Sequence, residues 1–150
     1  GGYTTLKALV SSNTFSVGAS HYGIGDLRAL ARDTHKFESR YLNGLIGENL
    51  FERSPINYID EFSCPVIFLQ GSEDRIVPAN QAETMFEAIS RKGIKAAYLL
   101  FQKEGHGFRK SENIIRAIEA EYLFFSQILG FQPFDDLTES LNDAKFSKPD

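Results

Sequence analysis

The feature that most constrains the fold is a pair of short, uninterrupted apolar runs at residues 65–69 and 96–101. Turn residues bound each run, and apolar residues recur at helical spacing after it. An apolar run of this length is typical of a strand that is buried on both faces, as the strands of parallel sheets are. Strands that alternate with helices need crossover connections, so the pattern predicts a parallel sheet with flanking helices.

The first third of the chain extends this alternating pattern. We predict a short helix over residues 3–12 and a strand of small residues over 15–20. A second helix is expected over residues 27–32, because Asp26 is placed to cap its first turn. The chain therefore carries about three parallel strands in all.

Two further helices are predicted after the apolar runs. The first follows Pro78, a residue suited to the first helical turn, and ends at Gly93. The second is expected to be capped by Ser111 and to stop at Gly130. Its predicted buried stripe comprises Ile114, Ile115, Ile118, Tyr122, Phe125 and Leu129.

Composition excludes several classes of protein. The net charge of −4 and the pI near 5.4 argue against a nucleic-acid-binding surface, which needs a basic patch. No apolar stretch approaches the roughly 20 residues that span a bilayer, so we expect no membrane partner. The single cysteine, Cys64, favours an intracellular setting. We therefore expect a cytoplasmic protein, with an organelle left open because a chain that starts at Gly-Gly could not show a targeting segment.

The C-terminal segment differs in composition from the rest. Residues 135–150 carry more acidic than basic side chains and include Pro149 near the end. We predict one domain over residues 1–134, followed by a polar acidic tail over 135–150 that is frayed.

Two short motifs follow the apolar runs and carry the chemistry. The first is GSEDRIVP, residues 71–78, and the second is GHGF, residues 105–108. Reacting groups in open parallel sheets lie on loops beyond the carboxyl ends of the strands. We therefore expect an oxygen of Asp74 within about 2.6–3.5 Å of a ring nitrogen of His106. A histidine can take and return a proton near neutral pH, and a carboxylate beside it fixes the ring tautomer and stabilises the imidazolium.

An acid and a base in this order predict a nucleophile upstream of both. In α/β-hydrolase sheets, a serine on a sharp strand-to-helix elbow precedes the acid and the histidine along the chain. The opening GGYTTL, residues 1–6, looks like the downstream half of such an elbow. Ser20 is a poor substitute, because Tyr22 stands where the elbow needs a glycine. His21 and His35 have no carboxylate at a suggestive spacing and are expected to be solvated or packed.

Together these stretches resemble the C-terminal part of the catalytic domain of the prolyl oligopeptidase family of serine peptidases. The resemblance is strongest to the acylaminoacyl-peptidase and dipeptidyl-aminopeptidase branch and covers about residues 1–131. The matching stretches are GGYTTL (1–6), VGASHYG (17–23), THKFESRYL (34–42), ERSPI (52–56), GSEDRIVPANQAE (71–83) and GHGFR (105–109).

The resemblance implies a role for each matching residue. Asp74 would be the acid and His106 the base of the triad, with the serine in a Gly-x-Ser-x-Gly-Gly sequence two residues before Gly1. Tyr22, Tyr41 and Val77 would line a pocket for an apolar substrate side chain. The family works on short peptides through an acyl-enzyme, without metal or cofactor, behind an N-terminal β-propeller.

Two alternatives stay open at this stage. An esterase or lipase of the same fold would carry the same triad, because the pocket and not the triad sets the substrate. A non-enzymatic interaction module is the other, since the serine is missing from this chain, which is expected to be inactive alone. In the resembled fold another strand pairs with residues 15–20. We therefore expect this edge to bind the remainder of the catalytic domain or a second copy.

Overall fold

A single mixed sheet of four strands forms the centre of the molecule. The computed structural model describes residues 1–34 and 49–148. The strand order across the sheet is β1-β2-β3-β4. The first three strands are parallel and β4 is antiparallel to β3, so the predicted α/β class with three parallel strands is confirmed and one strand is added. The strands are β1 (Gly18–His21), β2 (Val66–Gly71), β3 (Ala96–Phe101) and β4 (Lys145–Phe146).

The strands are in a register that brings their carboxyl ends together. Gly71, the last residue of β2, pairs with Phe101, the last residue of β3. On the other side, His21 at the end of β1 pairs with Leu69. The loops that leave β1, β2 and β3 therefore start from the same edge of the sheet.

Five α-helices and two 3-10 segments flank the sheet within the described residues. The predicted cap of α2 is confirmed, since an oxygen of Asp26 accepts hydrogen bonds from the amides of Arg28 and Ala29 at 2.9 and 3.0 Å. None of the helices in the described part of the chain is long and apolar enough to cross a membrane. The helices are α1 (Gly2–Ser11), α2 (Leu27–Thr34), α3 (Leu50–Arg53), α4 (Asn80–Arg91) and α5 (Ser111–Leu129), and the 3-10 segments are Pro55–Glu61 and Thr138–Leu141.

The buried core has two halves, one on each face of the sheet. Alternate residues of the fully buried strand β2 face opposite sides, as the pleat of a strand requires. One half joins α1 and α4 to β2, and the other joins α5 to β2 and β3. The first half includes Leu6, Leu9, Val10, Val66, Phe68, Met85 and Ile89, and the second includes Ile67, Leu69, Leu99, Phe101, Ala117, Ala120 and Phe124.

The buried face of α5 differs from the prediction. Ala117, Ala120 and Phe124 pack on the sheet, and most of the predicted stripe is exposed. Two of these three residues are alanines, whose small side chains let the helix approach the sheet closely. Ser111 is the first helical residue, and the N-cap position that it was predicted to occupy is held by Lys110. The exposed members of the predicted stripe are Ile114, Ile115, Ile118, Tyr122 and Leu129.

Residues 138–147 of the C-terminal segment pack on the sheet and on α5, where we expected a frayed tail. The amide of Ser147 donates to the carbonyl of Ala96 at 2.9 Å, and the Ser147 hydroxyl accepts from the Ala96 amide at 2.8 Å. Arg116 of α5 donates to the carbonyl of Ser140 at 3.1 Å. The physical reason is that the outer edge of β3 presents unpaired backbone groups, and a polar extended segment can satisfy them. The boundary at residue 134 stays a prediction.

Candidate active site

Asp74 lies in a tight turn directly after β2. One carboxylate oxygen, Oδ1, accepts hydrogen bonds from the backbone amides of Ile76 and Val77 at 2.9 and 2.8 Å. An aspartate that binds amides two and three residues ahead builds an Asx-type turn, which fixes its own side chain. The Asp74 side chain is 0% exposed. The turn therefore holds a carboxylate in a closed position, with one oxygen left for another partner.

That second oxygen binds His106. The distance between Asp74 Oδ2 and His106 Nδ1 is 2.9 Å, which confirms the predicted contact. An ionised carboxylate only accepts hydrogen bonds, so the contact assigns a proton to Nδ1, and in the neutral ring Nε2 then carries a free lone pair. The histidine side chain is 41% exposed. The pair thus combines a closed acid with a base that solvent and substrate can reach.

Tyr22 stands beside the histidine. Its ring centroid lies 5.4 Å from that of His106 and 4.9 Å from that of Phe108, with an edge-to-face arrangement in the second pair. The Tyr22 hydroxyl accepts a hydrogen bond from the Phe108 amide at 3.3 Å. Its φ of 51° is in the left-handed region, which costs a non-glycine residue about 1–2 kcal/mol. The fold therefore keeps a strained residue at the site.

Close contact between the two loops depends on Gly71. A Cβ atom built on Gly71 would lie 2.4 Å from the carbonyl oxygen of Glu104 and 2.6 Å from that of Gly105. The amide of Glu73 donates to the same Glu104 carbonyl at 2.8 Å. The loop that carries Asp74 and the loop that carries His106 are thus joined through their backbones.

Glu104 is a site residue that we did not predict. Its buried carboxylate accepts hydrogen bonds from the amides of Arg109 and Lys110 at 2.9 and 3.0 Å, and from the Asn113 side chain at 2.8 Å. Burial alone would raise the pKa of Glu104. The bond from Asn113, the two amide bonds and the Lys110 charge outweigh it, and the pKa is lowered. The carboxylate ties the histidine loop to the start of α5, and its position just before the GHGF motif was the available signal.

The remaining candidate residues lie in different surroundings. Val77 is buried and its amide supports Asp74, while its role in a pocket stays a prediction. Tyr41 and His35 lie outside the described residues. Ser20 is buried, which agrees with its rejection as a nucleophile. His21, which was expected to be solvated or packed, is half-buried, and its Nε2 lies 2.6 Å from Oε2 of Glu121, a partner too distant in sequence for spacing to reveal.

No metal-type cluster occurs in the described residues. Specifically, residues 1–34 and 49–148 contain no group of three or more His, Cys, Asp or Glu side chains placed to hold an ion. The pair formed by Asp74 and His106 is a carboxylate-oriented histidine, a group that can act as a general base or acid.

Fold and site together define the C-terminal part of an α/β-hydrolase-type domain. Residues 1–132 match the sequence profile of the Prolyl oligopeptidase family, and the chain belongs to that family of serine peptidases. The resemblance seen in the sequence is therefore confirmed.

Individual relatives agree with this assignment. The chain is 30% identical over 149 residues to dipeptidyl peptidase family member 6 of Caenorhabditis elegans, covering 89% of this chain and 20% of the relative. It is 29% identical to dipeptidyl aminopeptidase BIII of Pseudoxanthomonas mexicana, covering 87% of this chain and 21% of that protein. A puromycin-hydrolyzing peptidase of Mycobacterium tuberculosis superposes with a TM-score of 0.83 at 44% identity, covering 89% of this chain and 21% of that one. The chain thus spans about a fifth of the length of these relatives.

Proposed function

We propose that the protein containing this chain hydrolyses amide bonds in short peptides through an acyl-enzyme. The observation that carries the proposal is the 2.9 Å contact between the buried carboxylate of Asp74 and the exposed ring of His106. A base that is oriented by a closed acid and open on its other nitrogen is what nucleophilic catalysis by a serine requires.

In the proposed reaction, Nε2 of His106 takes the proton of a serine hydroxyl as the serine oxygen attacks the substrate carbonyl. Asp74 stabilises the imidazolium that forms, and His106 then gives the proton to the departing amine. A water molecule, activated by the same histidine, releases the acyl group from the serine. From the resemblance, we assign the serine to a Gly-x-Ser-x-Gly-Gly elbow that precedes Gly1 in the longer protein.

For the substrate, we propose short peptides and aminoacyl amides. The names of the relatives support this class, since two are dipeptidyl peptidases or aminopeptidases and one hydrolyses puromycin. We assign the pocket for an apolar side chain to Tyr22, Val77 and, from the resemblance alone, Tyr41. The ring of Tyr22 beside His106 supports its part in this assignment.

The proposal is tested with the full-length protein. Puromycin, a dipeptide arylamide and an ester of the same acyl group are compared as substrates, and a fluorophosphonate probe is mapped by peptide mass spectrometry. We expect hydrolysis of the amides and a probe adduct on the serine two residues before Gly1. Hydrolysis of the ester alone would favour the esterase alternative, and an adduct on Ser20 would overturn the assignment of the nucleophile.

The 150-residue chain alone gives the matching negative control. We expect it to form no adduct with the probe, because loss of a triad nucleophile reduces turnover by about 10⁶-fold. The interaction-module alternative would gain support if the full-length protein also failed to react.

A further inference from the structure

The apolar strand β2 contains one polar side chain directly beneath the acid. Gln70 is fully buried, while the four preceding residues of the strand are apolar. A buried amide costs free energy unless it is hydrogen-bonded. Its partners therefore indicate why a glutamine is present at this position.

Within the described residues, every hydrogen-bond partner of the Gln70 side chain belongs to the turn that carries Asp74. The side-chain nitrogen Nε2 lies 3.0 Å from the carbonyl oxygen of Val77 and 3.3 Å from that of Gly71. It also lies 3.3 Å from Oδ2 of Asp74, the oxygen that binds His106. Two carbonyls and a carboxylate are acceptors, so the atom that faces them must be the donating nitrogen of the amide.

We propose that Gln70 is a positioning residue of the Asp74–His106 pair. The proposal rests on the proposed function and names a residue that acts through the acid. Gln70 spans the two ends of the turn, at Gly71 and Val77, and so closes it from beneath.

The carboxylate of Asp74 then has a donor on every side. Oδ1 binds the amides of Ile76 and Val77, and Oδ2 binds Gln70 and His106. Rotation of the carboxylate would break several of these bonds at once. Gln70 therefore keeps Oδ2 aligned with Nδ1 of His106, which sets the tautomer and leaves Nε2 free to accept a proton.

A purely structural role for Gln70 makes a different prediction, and the chain offers a matched control. Gln81 is also buried, and its Oε1 accepts hydrogen bonds from the amides of Gly25 and Asp26 at 3.1 and 2.9 Å. It supports a loop that contains neither Asp74 nor His106. Gln81→Met thus removes a buried glutamine amide of the same kind without touching the pair.

The experiment compares Gln70→Met with Gln81→Met in the full-length protein. The readouts are kcat and KM for puromycin, and the proton resonance of His106 Nδ1–H in protein with labelled histidine. For Gln70→Met we expect kcat to fall about 10- to 100-fold, the range for one hydrogen bond to a charged group, with KM within about twofold. We also expect the resonance to shift or broaden. Gln81→Met should lower the thermal midpoint and leave both readouts as in the wild type.

Gln70→Glu is a second variant that nearly keeps the shape of the side chain. The introduced carboxylate repels Asp74 when ionised and can donate a hydrogen bond when protonated. The activity of Gln70→Glu relative to wild type should therefore rise as the pH falls. This variant still tests the proposal if Gln70→Met does not fold.

Unchanged kcat and an unchanged resonance in Gln70→Met would overturn the proposal, as would equal changes in Gln81→Met. A wild-type protein without hydrolytic activity would refute the proposed function, and the His106 resonance would then decide alone on Gln70.

Discussion

Asp74 and His106 differ in exposure, and this difference matters for their chemistry. A buried carboxylate is unfavourable unless hydrogen bonds compensate for its lost solvation, and here four donors surround it. In the proposed reaction the histidine needs the reverse, because the nitrogen that exchanges protons must reach a substrate. The sequence places the two residues on separate loops, so each can have its own environment.

Asp74→Asn tests the acid. An asparagine cannot stabilise the imidazolium and favours the wrong tautomer, so kcat of the full-length protein should fall by about 10⁴-fold with a smaller effect on KM. Asp26→Asn is the matched control, because Asp26 also accepts two backbone amides but has no histidine partner in the structure as described. Asparagine caps a helix as well as aspartate does, so this variant should retain activity. A kcat for Asp74→Asn within tenfold of wild type would contradict the proposed role.

Glu104 links the site to stability at low pH. Its pKa is lowered in the folded protein, so its contribution to the free energy of unfolding is present above the pKa of the unfolded state, near 4.5, and is lost as the pH falls through the folded value. We expect Glu104→Gln to lower the thermal midpoint at pH 7 by several degrees and to flatten its decline below about pH 4.5. Glu112→Gln, at an exposed position in the first turn of α5, should change neither. If the thermal midpoint of Glu104→Gln declined as steeply at low pH as that of wild type, the contribution of Glu104 to stability would be refuted.

These residues also show how far the sequence alone can lead. Asp74 and His106 were predictable, because each follows an apolar strand within a recognisable motif. Gln70 and Glu104 were not, because their importance depends on which backbone groups the folded loops bring near them. His21 illustrates the same limit, since its partner Glu121 is 100 residues away.

The loops that carry Asp74 and His106 meet because β2 and β3 end in register. Their contact is backbone to backbone, and such a contact tolerates no added atom.

The test of this contact compares Gly71→Ala with Gly105→Ala. At Gly71 a methyl group would lie 2.4 Å from a carbonyl oxygen, whereas at Gly105 the nearest atom, the carbonyl oxygen of Glu73, is 3.9 Å away. We expect Gly71→Ala to lose about 1–3 kcal/mol in the free energy of unfolding, as overpacking does, and Gly105→Ala to lose less than about 1 kcal/mol. Equal losses in chemical denaturation would show that the loops adjust freely.

Elements differ in how well the sequence predicted them. Strand β3 was found to the residue and β2 to within two residues at each end, because a buried parallel strand is a continuous apolar run between turns. The prediction of the buried face of α5 was wrong. The helix has two apolar sides, and periodicity alone does not show which of them packs on the sheet. Strand β4 was missed because a short polar strand has no apolar pattern, and its place depends on the open edge of β3.

At the scale of the whole molecule, the two edges of the sheet differ in how they are covered. The outer edge of β3 is covered by β4, whose two residues leave only a short edge of their own. Among the described residues, β1 pairs with β2 alone. Beside β1 runs a groove of about 520 Å³ between α1 and α5. The residues that line it include Thr4, Ala8, Phe15, Val17, Ala19 and Phe125.

The last prediction concerns the 150-residue chain produced by itself. A strand edge with free backbone groups beside an apolar groove favours pairing with another strand, so we expect the isolated chain to associate, through β1, as its concentration rises. Light scattering over a concentration series measures this. Phe15→Lys places a charge in the groove and should reduce association, because a strand that enters would have to bury it. Phe146→Lys on β4 is the matched control, because Phe146 is 46% exposed and Phe15 is 47% exposed. This variant should leave association unchanged.

A chain that stays monomeric, or one whose association is abolished only by Phe146→Lys, would show that β1 is not the edge that binds. In the full-length protein we propose that the remainder of the catalytic domain occupies this groove. The backbone amides next to Phe15 should then be protected in hydrogen exchange.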